Sequence, residues 1–249
     1  MIKRIIIALF LGVNLSFAAV SNESIINFYK ERLNPMTPNV KVEVLERTSL
    51  GENGFERVTL EISAIGEKVK EVVFTNGNFL FPDIVDAVNN FSYREDFQKQ
   101  LAENEKIVFE QKMLNVLKDE ANIVSIGDKN KPEIYVFSDP ECPYCRKHLE
   151  GIDKVLEKNR VNFVFVSVHG RSAFEKIANI YKETADGFFG SKSDAKKLEV
   201  IRKYYAESVN YKQPTEEEYK AALDLTEKYK NAGLRAVPTT IEKPQITKE

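Results

Sequence analysis

The sequence predicts an α+β protein in which a small antiparallel sheet, a linker helix and a C-terminal α/β domain with a helical insertion follow one another. Apolar and polar residues alternate through much of residues 40–81, a helical pattern follows, and compact apolar strands then alternate with helical segments from residue 133 onward. A chain of 249 residues with 43% hydrophobic and 10% aromatic residues can build two cores, which argues against wholesale disorder. With a net charge of −2, the chain lacks the excess of positive charge that is typical of nucleic-acid-binding proteins, so we do not expect nucleic acid as a partner.

Residues 1–18 are predicted to be a signal peptide that is cleaved after Ala18. Lys3 and Arg4 form a basic start, and residues 5–15 form a short apolar segment. A membrane anchor or a buried first helix is the alternative, but a spanning helix needs about 20 apolar residues. We therefore expect a soluble protein in the periplasm, where disulfides form and persist.

Residues 19–82 are predicted to form a small domain with one helix and an antiparallel sheet. Residues 21–33 have helical spacing, whereas apolar residues alternate with polar ones in segments 40–44 and 58–62. Asn76-Gly77 is typical of a tight hairpin turn. A domain of about 60 residues is marginally stable alone, so we expect a partner surface to complete it.

Residues 83–131 are predicted to be a linker region with one long, largely solvated helix, and residues 132–249 a second domain. In this domain the first strand, at 133–137, is followed by a helix from about 142 to 158. The remaining predicted elements are a strand at 161–168 and helices near 171–184, 194–208 and 215–231. The strand–helix–strand start predicts a parallel, right-handed crossover.

The two cysteines of the chain, Cys142 and Cys145, stand where the first of these strands gives way to a helix. Pro143 fits the first helical position, where its missing N–H has no cost. Cys142 then lies at the helix N-terminus, where unpaired N–H groups and the helix dipole favour a thiolate. Cys145 lies one turn inside the helix, within reach of a disulfide. We therefore expect Cys142 to attack substrate disulfides and Cys145 to resolve the mixed disulfide.

The cysteine pair allows three other interpretations. A structural disulfide across so short a span stabilises very little. A zinc site would need both histidines of the chain, His148 and His169, to converge on both thiolates. Two ordinary buried thiols would not need a strand-to-helix junction. The redox interpretation is favoured, with no metal and no cofactor. Asp139 and Glu141, which precede the helix, are expected to cap it.

The segment 137–147, FSDPECPYCRK, resembles the active-site stretch of periplasmic thiol:disulfide interchange proteins of the DsbC/DsbG type, in the thioredoxin superfamily. The segment Val168-His169-Gly170 resembles the segment after that family's second catalytic-domain strand, and Val237-Pro238-Thr239 resembles its cis-proline loop. Residues 74–83 are similar to the end of its dimerisation domain. The resemblance covers nearly the whole chain after the signal peptide.

The resemblance implies a homodimer that pairs through residues 19–82, with a thioredoxin-like catalytic domain over residues 132–249. It implies a cis Pro238 and a Val237 backbone that binds extended substrate, with Pro143 and Tyr144 on the substrate surface. The implied activity is disulfide isomerase or reductase, acting on unfolded or misoxidised exported proteins. A membrane thiol reductase of the DsbD type is the implied partner that keeps the cysteine pair reduced.

The sequence departs from the DsbC pattern in three places. The dipeptide between the cysteines is Pro143-Tyr144, where DsbC-type isomerases typically carry Gly-Tyr, and Val237 replaces a usual Thr. Both changes favour an oxidase that donates disulfides, which stays open as an alternative. Only 11 residues follow Pro238, fewer than a thioredoxin fold normally has there. An alternative from another class is a holdase chaperone whose dimer cleft binds unfolded chains.

Overall fold

The computed structural model describes residues 19–51, 54–185 and 192–244. The predicted signal peptide, residues 1–18, lies outside the described residues, as does its cleavage site. The chain divides into two compact units, one up to Asn104 and one from Glu105 onward. Within the described ranges, no helix is both long enough and apolar enough to cross a membrane.

The N-terminal unit consists of one helix and a four-stranded antiparallel sheet with strand order β1-β2-β3-β4. The elements are α1 (Asn22–Leu33), β1 (Lys41–Ser49), β2 (Glu56–Ala64), β3 (Glu67–Asn76) and β4 (Phe79–Phe81). The Ser21 hydroxyl caps α1 by accepting from Ser24 N–H at 3.1 Å. The alternating pattern is thus confirmed as an antiparallel sheet, and its buried cluster is small: Ile25, Val58, Leu60 and Val73.

Residues between the first sheet and the second domain begin with a short hairpin, β5 (Val85–Asp86) and β6 (Phe91–Ser92), before α2 (Tyr93–Leu117). The long helix predicted within 83–120 therefore starts later than expected. The reason is local: Asp83 accepts hydrogen bonds from the Ser92 hydroxyl at 2.7 Å and from Arg94 N–H at 3.0 Å. These bonds hold the hairpin closed directly before the helix.

The C-terminal unit contains a four-stranded mixed sheet with strand order β10-β8-β9-β7. Its strands are β7 (Val124–Ile126), β8 (Glu133–Ser138), β9 (Arg160–Phe165) and β10 (Thr239–Glu242). The predicted parallel pairing is confirmed for β8 and β9, whereas β7 and β10 are antiparallel edge strands. Strand β7 lies inside the region predicted as linker, so the sheet begins before residue 132. The predicted strand 161–168 ends at Phe165.

Five helices in the described part of this unit pack around the sheet: α3 (Pro143–Glu150), α4 (Ile152–Leu156), α5 (Arg171–Thr184), α6 (Asp194–Tyr205) and α7 (Glu216–Ala232). The last three form the predicted insertion between β9 and β10. The single helix expected from Cys142 to residue 158 is broken at Gly151, which joins α3 to α4. Helix α7 begins with the capping box of Thr215 and Glu218 and ends at Gly233, whose φ of +114° suits glycine.

Successive residues of β8 and β9 point to opposite faces of the sheet and build two buried clusters. Val136 and Phe163 belong to the cluster that contains both cysteines and residues of α5 and α6. Phe137 and Val164 belong to the other cluster, which includes residues of α7. The active-site helix is therefore anchored on one face of the sheet, next to the helical insertion.

Candidate active site

The turn after β8 places Cys142 at the N-terminus of α3. Cys142 is the N-cap residue in an extended conformation and Pro143 follows it as the first helical residue. The Asp139 carbonyl accepts from Cys142 N–H at 3.2 Å, which closes the turn between strand and helix. The cysteine is 7% exposed, so its sulfur lies at the edge of the buried cluster. This is the placement that the sequence predicted, at the end of a helix where the backbone N–H groups of the first turn have no partner within the helix.

Cys145 lies one helical turn further on and is fully buried. Burial raises the pKa of its thiol to about 12. Two hydrogen bonds act in the opposite direction: one from the Asp139 N–H, which donates to Sγ over 3.4 Å, and one from the Ser138 side chain. Nearby Cys142 adds to the increase. The two thiols of the pair therefore have different environments, one at the edge of the buried cluster and one inside it.

The loop before β10 passes over the cysteine pair. The Val237-Pro238 peptide bond is cis, as the resemblance implies. Cys142 Sγ lies 3.7 Å from the Val237 carbonyl oxygen, although 95 residues separate them in the sequence. Tyr144 is 75% exposed, so its ring is available at the protein surface. The residues predicted for the site therefore meet: the cysteine pair and the cis-proline loop are in contact.

Asp139 connects the active-site turn to the loop that follows β9. It is fully buried, and its Oδ2 accepts from the Ser167 hydroxyl at 2.6 Å and from Val168 N–H at 3.2 Å. The same oxygen lies 2.7 Å from His169 Nδ1, and Oδ1 accepts from Glu141 N–H at 2.9 Å. The expected capping role covers only the last of these bonds. The sequence offered no signal for the others because the partners lie about 30 residues away.

The two histidines of the chain lie in different environments. His169 contacts Asp139, whereas His148 is half-buried within α3, and burial lowers the pKa of its imidazole. Across the described ranges, no three side chains of His, Cys, Asp or Glu come together in a way that could hold a metal ion. The site therefore contains two thiols, Cys142 and Cys145, and the buried, hydrogen-bonded carboxylate of Asp139.

Two further contacts near the cysteines were not predicted. The Lys176 ammonium, on a buried part of α5, lies 3.3 Å from Glu141 Oε1, and Glu141 directly precedes Cys142. The Tyr205 hydroxyl, at the end of α6, donates to Ser138 Oγ at 2.6 Å, and both residues are buried. The helical insertion thus supplies polar side chains to the site. The large sequence separation hides both contacts from a local pattern.

A family model described as a thioredoxin-like domain matches residues 119–243, which is half of the chain and includes the cysteine pair and the cis-proline loop. This chain belongs to the thioredoxin-like family. The match begins before residue 132 and takes in β7, in agreement with the sheet. No curated protein sequence matches the chain.

Among solved structures, the thioredoxin-like chain is similar to DsbG of Helicobacter pylori, with 21% identity and a TM-score of 0.52 over 89% of this chain and all of that one. This similarity confirms the predicted fold through both units. The catalytic domain of Proteus mirabilis ScsC matches with 15% identity and a TM-score of 0.35, over 54% of this chain and 86% of that one. The thiol-disulfide exchange protein alpha-DsbA2 of Wolbachia pipientis matches with 12% identity and a TM-score of 0.37, over 56% and 87%.

Proposed function

We propose that this protein is a periplasmic thiol:disulfide interchange protein that acts as a disulfide isomerase and reductase on misoxidised exported proteins. The observation that carries the proposal is the arrangement at α3. Cys142 stands at the helix N-terminus against the carbonyl that precedes cis Pro238, and Cys145 is buried one turn behind it. A thiolate at a helix N-terminus is stabilised by the helix dipole and unpaired N–H groups.

The proposed reaction begins when the Cys142 thiolate attacks one sulfur of a substrate disulfide. A bond forms between Cys142 and that sulfur, and the other substrate sulfur leaves as a thiolate. In isomerisation, a different substrate thiolate then attacks the mixed disulfide and releases Cys142 unchanged. In reduction, Cys145 attacks Cys142, so the enzyme pair becomes a disulfide and the substrate leaves with two thiols. A membrane thiol reductase of the DsbD type is the proposed source of electrons that returns the pair to the reduced form.

The surface around Cys142 suits an extended, partly apolar polypeptide. We assign Pro143, Tyr144 and the loop of Val237 and Pro238 to substrate binding. The backbone of Val237 is positioned beside the reacting sulfur, where it can pair with a substrate strand. Tyr144 is largely exposed, and Val168 is 65% exposed. Unfolded chains expose such apolar segments, so these side chains support misfolded exported proteins as substrates.

The proposed partner of the N-terminal unit is a second copy of the chain. Only the last three residues of β3 pair with β4, so among the described residues no strand covers the edge of β3 that faces away from β2 at residues 67–73. The unit also exposes large apolar side chains, among them Val69 at 57% and Phe79 at 70%. An open sheet edge with apolar neighbours is suited to strand pairing between copies. Sedimentation of the mature chain as a dimer, and of Val69→Glu as a monomer, is the expected result.

A disulfide oxidase is the second candidate, and the residue that favours it is Val237 beside Cys142. The resemblance associates Val at this position with oxidases and Thr with isomerases. The decisive experiment compares rates on a scrambled disulfide substrate with rates on a fully reduced one and measures the reduction potential. An isomerase works faster on the scrambled substrate and is found reduced in the periplasm. A potential near the value of about −120 mV known for a strong oxidant, together with an oxidised pair in cells, supports the oxidase instead.

The holdase alternative makes a separate prediction, because a chaperone needs no thiol. Under the proposed function, Cys142→Ser loses refolding of the scrambled substrate, whatever happens to its suppression of aggregation. Full refolding activity in Cys142→Ser would contradict the thiol mechanism. Fractionation of cells that produce the full chain tests the compartment: we expect the mature protein in the periplasmic fraction, with an N-terminus that follows Ala18.

A further inference from the structure

The environment of Cys145 must stabilise a negative charge during thiol–disulfide exchange. Whenever this thiol attacks or leaves, a negative charge forms on a sulfur with no exposure to water. A charge in such a place needs hydrogen-bond donors from the protein. The backbone N–H of Asp139 supplies one, over 3.4 Å to Sγ. A second donor would further stabilise the thiolate form of Cys145 relative to its thiol form.

Ser138 and Tyr205 are arranged to supply that second donor. The Tyr205 hydroxyl donates to Ser138 Oγ over 2.6 Å, which occupies a lone pair of the serine oxygen and leaves the serine proton free to point elsewhere. Ser138 is 1% exposed and Tyr205 5% exposed, so these groups have little contact with solvent. Burial raises the pKa of Tyr205 well above its ordinary value, and the hydroxyl therefore stays protonated as a donor. The hydrogen bond from the Ser138 side chain lowers the pKa of Cys145, against the effect of burial.

We propose that Ser138 and Tyr205 are positioning residues for the buried cysteine: Tyr205 orients the Ser138 hydroxyl, which donates a hydrogen bond to the Cys145 sulfur when it carries negative charge. The inference deepens the proposed function, on which it rests, by assigning the resolving step to two side chains outside the cysteine motif. Tyr205 belongs to the helical insertion, so this insertion contributes to the exchange reaction through Ser138.

The step that these residues assist is the attack of Cys145 on the mixed disulfide. Cys145 loses its proton, and its sulfur forms a bond with Cys142 Sγ. The bond between Cys142 and the substrate sulfur breaks, and that sulfur leaves with the electron pair and takes up a proton. The enzyme thiols are oxidised to a disulfide, and the substrate disulfide is reduced to two thiols. In the reverse direction, Cys145 is the leaving thiolate and benefits from the same two donors.

The experiment uses the reduced mature protein and a small aromatic disulfide, dithiobis(nitrobenzoate), in stopped-flow absorbance. The first coloured thiolate is released when Cys142 attacks, and the second when Cys145 resolves the mixed disulfide. A hydrogen bond to a charged group changes an equilibrium by about ten-fold or more. We therefore expect Ser138→Ala and Tyr205→Phe to slow the second phase by about ten-fold and to leave the first phase within about two-fold.

Tyr204 offers a matched control on the same helix. It is fully buried, and its hydroxyl donates to Glu183 Oε1 at 2.5 Å, away from the cysteines. Tyr204→Phe removes a buried tyrosine hydroxyl and is expected to change neither phase. Because Tyr205 acts through Ser138, the double variant Ser138→Ala/Tyr205→Phe should be no slower than Ser138→Ala alone.

The pH profile separates positioning from a general loss of structure. With one donor removed, the second phase should need a higher pH to reach the rate of the unaltered protein. Equal slowing of both phases, an unchanged second phase, or an additive double variant would overturn the proposal. These outcomes are distinct from failure of the proposed function, which is measured as absent refolding of a scrambled protein and does not affect the two phases with the small disulfide.

Discussion

Cys142 and Cys145 are three positions apart in the sequence, yet the structure gives them opposite surroundings. Cys142 meets a helix N-terminus, a loop carbonyl and the protein surface. Cys145 has no exposed surface and is contacted by the Asp139 N–H and by the Ser138 side chain. Under the proposed mechanism, the difference suits Cys142 to attack a substrate disulfide and Cys145 to resolve the mixed disulfide from a buried position.

The largest expected effect comes from replacing each of the two cysteines by serine in turn. Cys142→Ser should reduce exchange with a scrambled protein to the uncatalysed rate, because no other accessible thiol exists in a chain with two cysteines. Cys145→Ser should keep the attack but accumulate mixed disulfides, which non-reducing electrophoresis detects. If the two variants behaved alike, the assignment of different roles would be wrong.

The second effect concerns the polar network behind the pair. Asp139→Asn places an amide where a buried carboxylate accepts from Ser167, Val168 and Glu141 and contacts His169. Loss of a buried, charged acceptor of this kind costs about 3 kcal/mol. We expect the free energy of unfolding in urea to fall by about that amount.

The matched control for this variant is Asp153→Asn. Asp153 is exposed and binds Arg202 at 2.8 Å. A surface ion pair contributes less than about 1 kcal/mol, so this variant should unfold almost as the parent does. Comparable losses in the two variants would show that Asp139 has no special role at the site.

The third effect is the pH dependence of the resolving step, which depends on the Cys145 thiol. Burial raises the pKa of Cys145 to about 12, so only a small fraction of this thiol is ionised near neutral pH. The rate of the resolving phase follows the thiolate fraction and should therefore rise about ten-fold per pH unit above pH 7, with no plateau before the pH reaches the raised pKa. Stopped-flow measurement from pH 7 to pH 10 gives the slope. A plateau below pH 9 would contradict a raised pKa.

The smallest effect is expected at the surface beside Cys142. Tyr144→Ala removes an exposed aromatic ring, so it should leave stability unchanged and weaken binding of an unfolded substrate. A partly desolvated aromatic contact is worth about 1 kcal/mol, which corresponds to a rise in KM of about five-fold. Steady-state refolding assays check the KM, and the free energy of unfolding in urea is the control for stability. An unchanged KM would place the substrate surface elsewhere.

Local patterns predicted the parts of the fold that depend on neighbours in sequence. Alternating apolar and polar residues predicted β1 and β2, and the apolar run before Asp139 predicted β8. The late start of α2, the break at Gly151 and the early edge strand β7 were missed. Strand β7 is decided by its pairing with β9, which no local window contains, whereas the late start of α2 depends on nearby hydrogen bonds of Asp83 that apolar periodicity does not register.

The sequence by itself determined the chemistry of this protein: two thiols at a strand-to-helix junction, a proline that starts the helix, and a second proline near the end of the chain. These features depend on residue type and local spacing. Only the tertiary structure decided which distant groups lie beside those thiols. Val237 reaches Cys142 across 95 residues and Tyr205 reaches Ser138 across 67, because the sheet and the helical insertion bring them together. Sequence spacing carries no information about such contacts, and packing alone creates them.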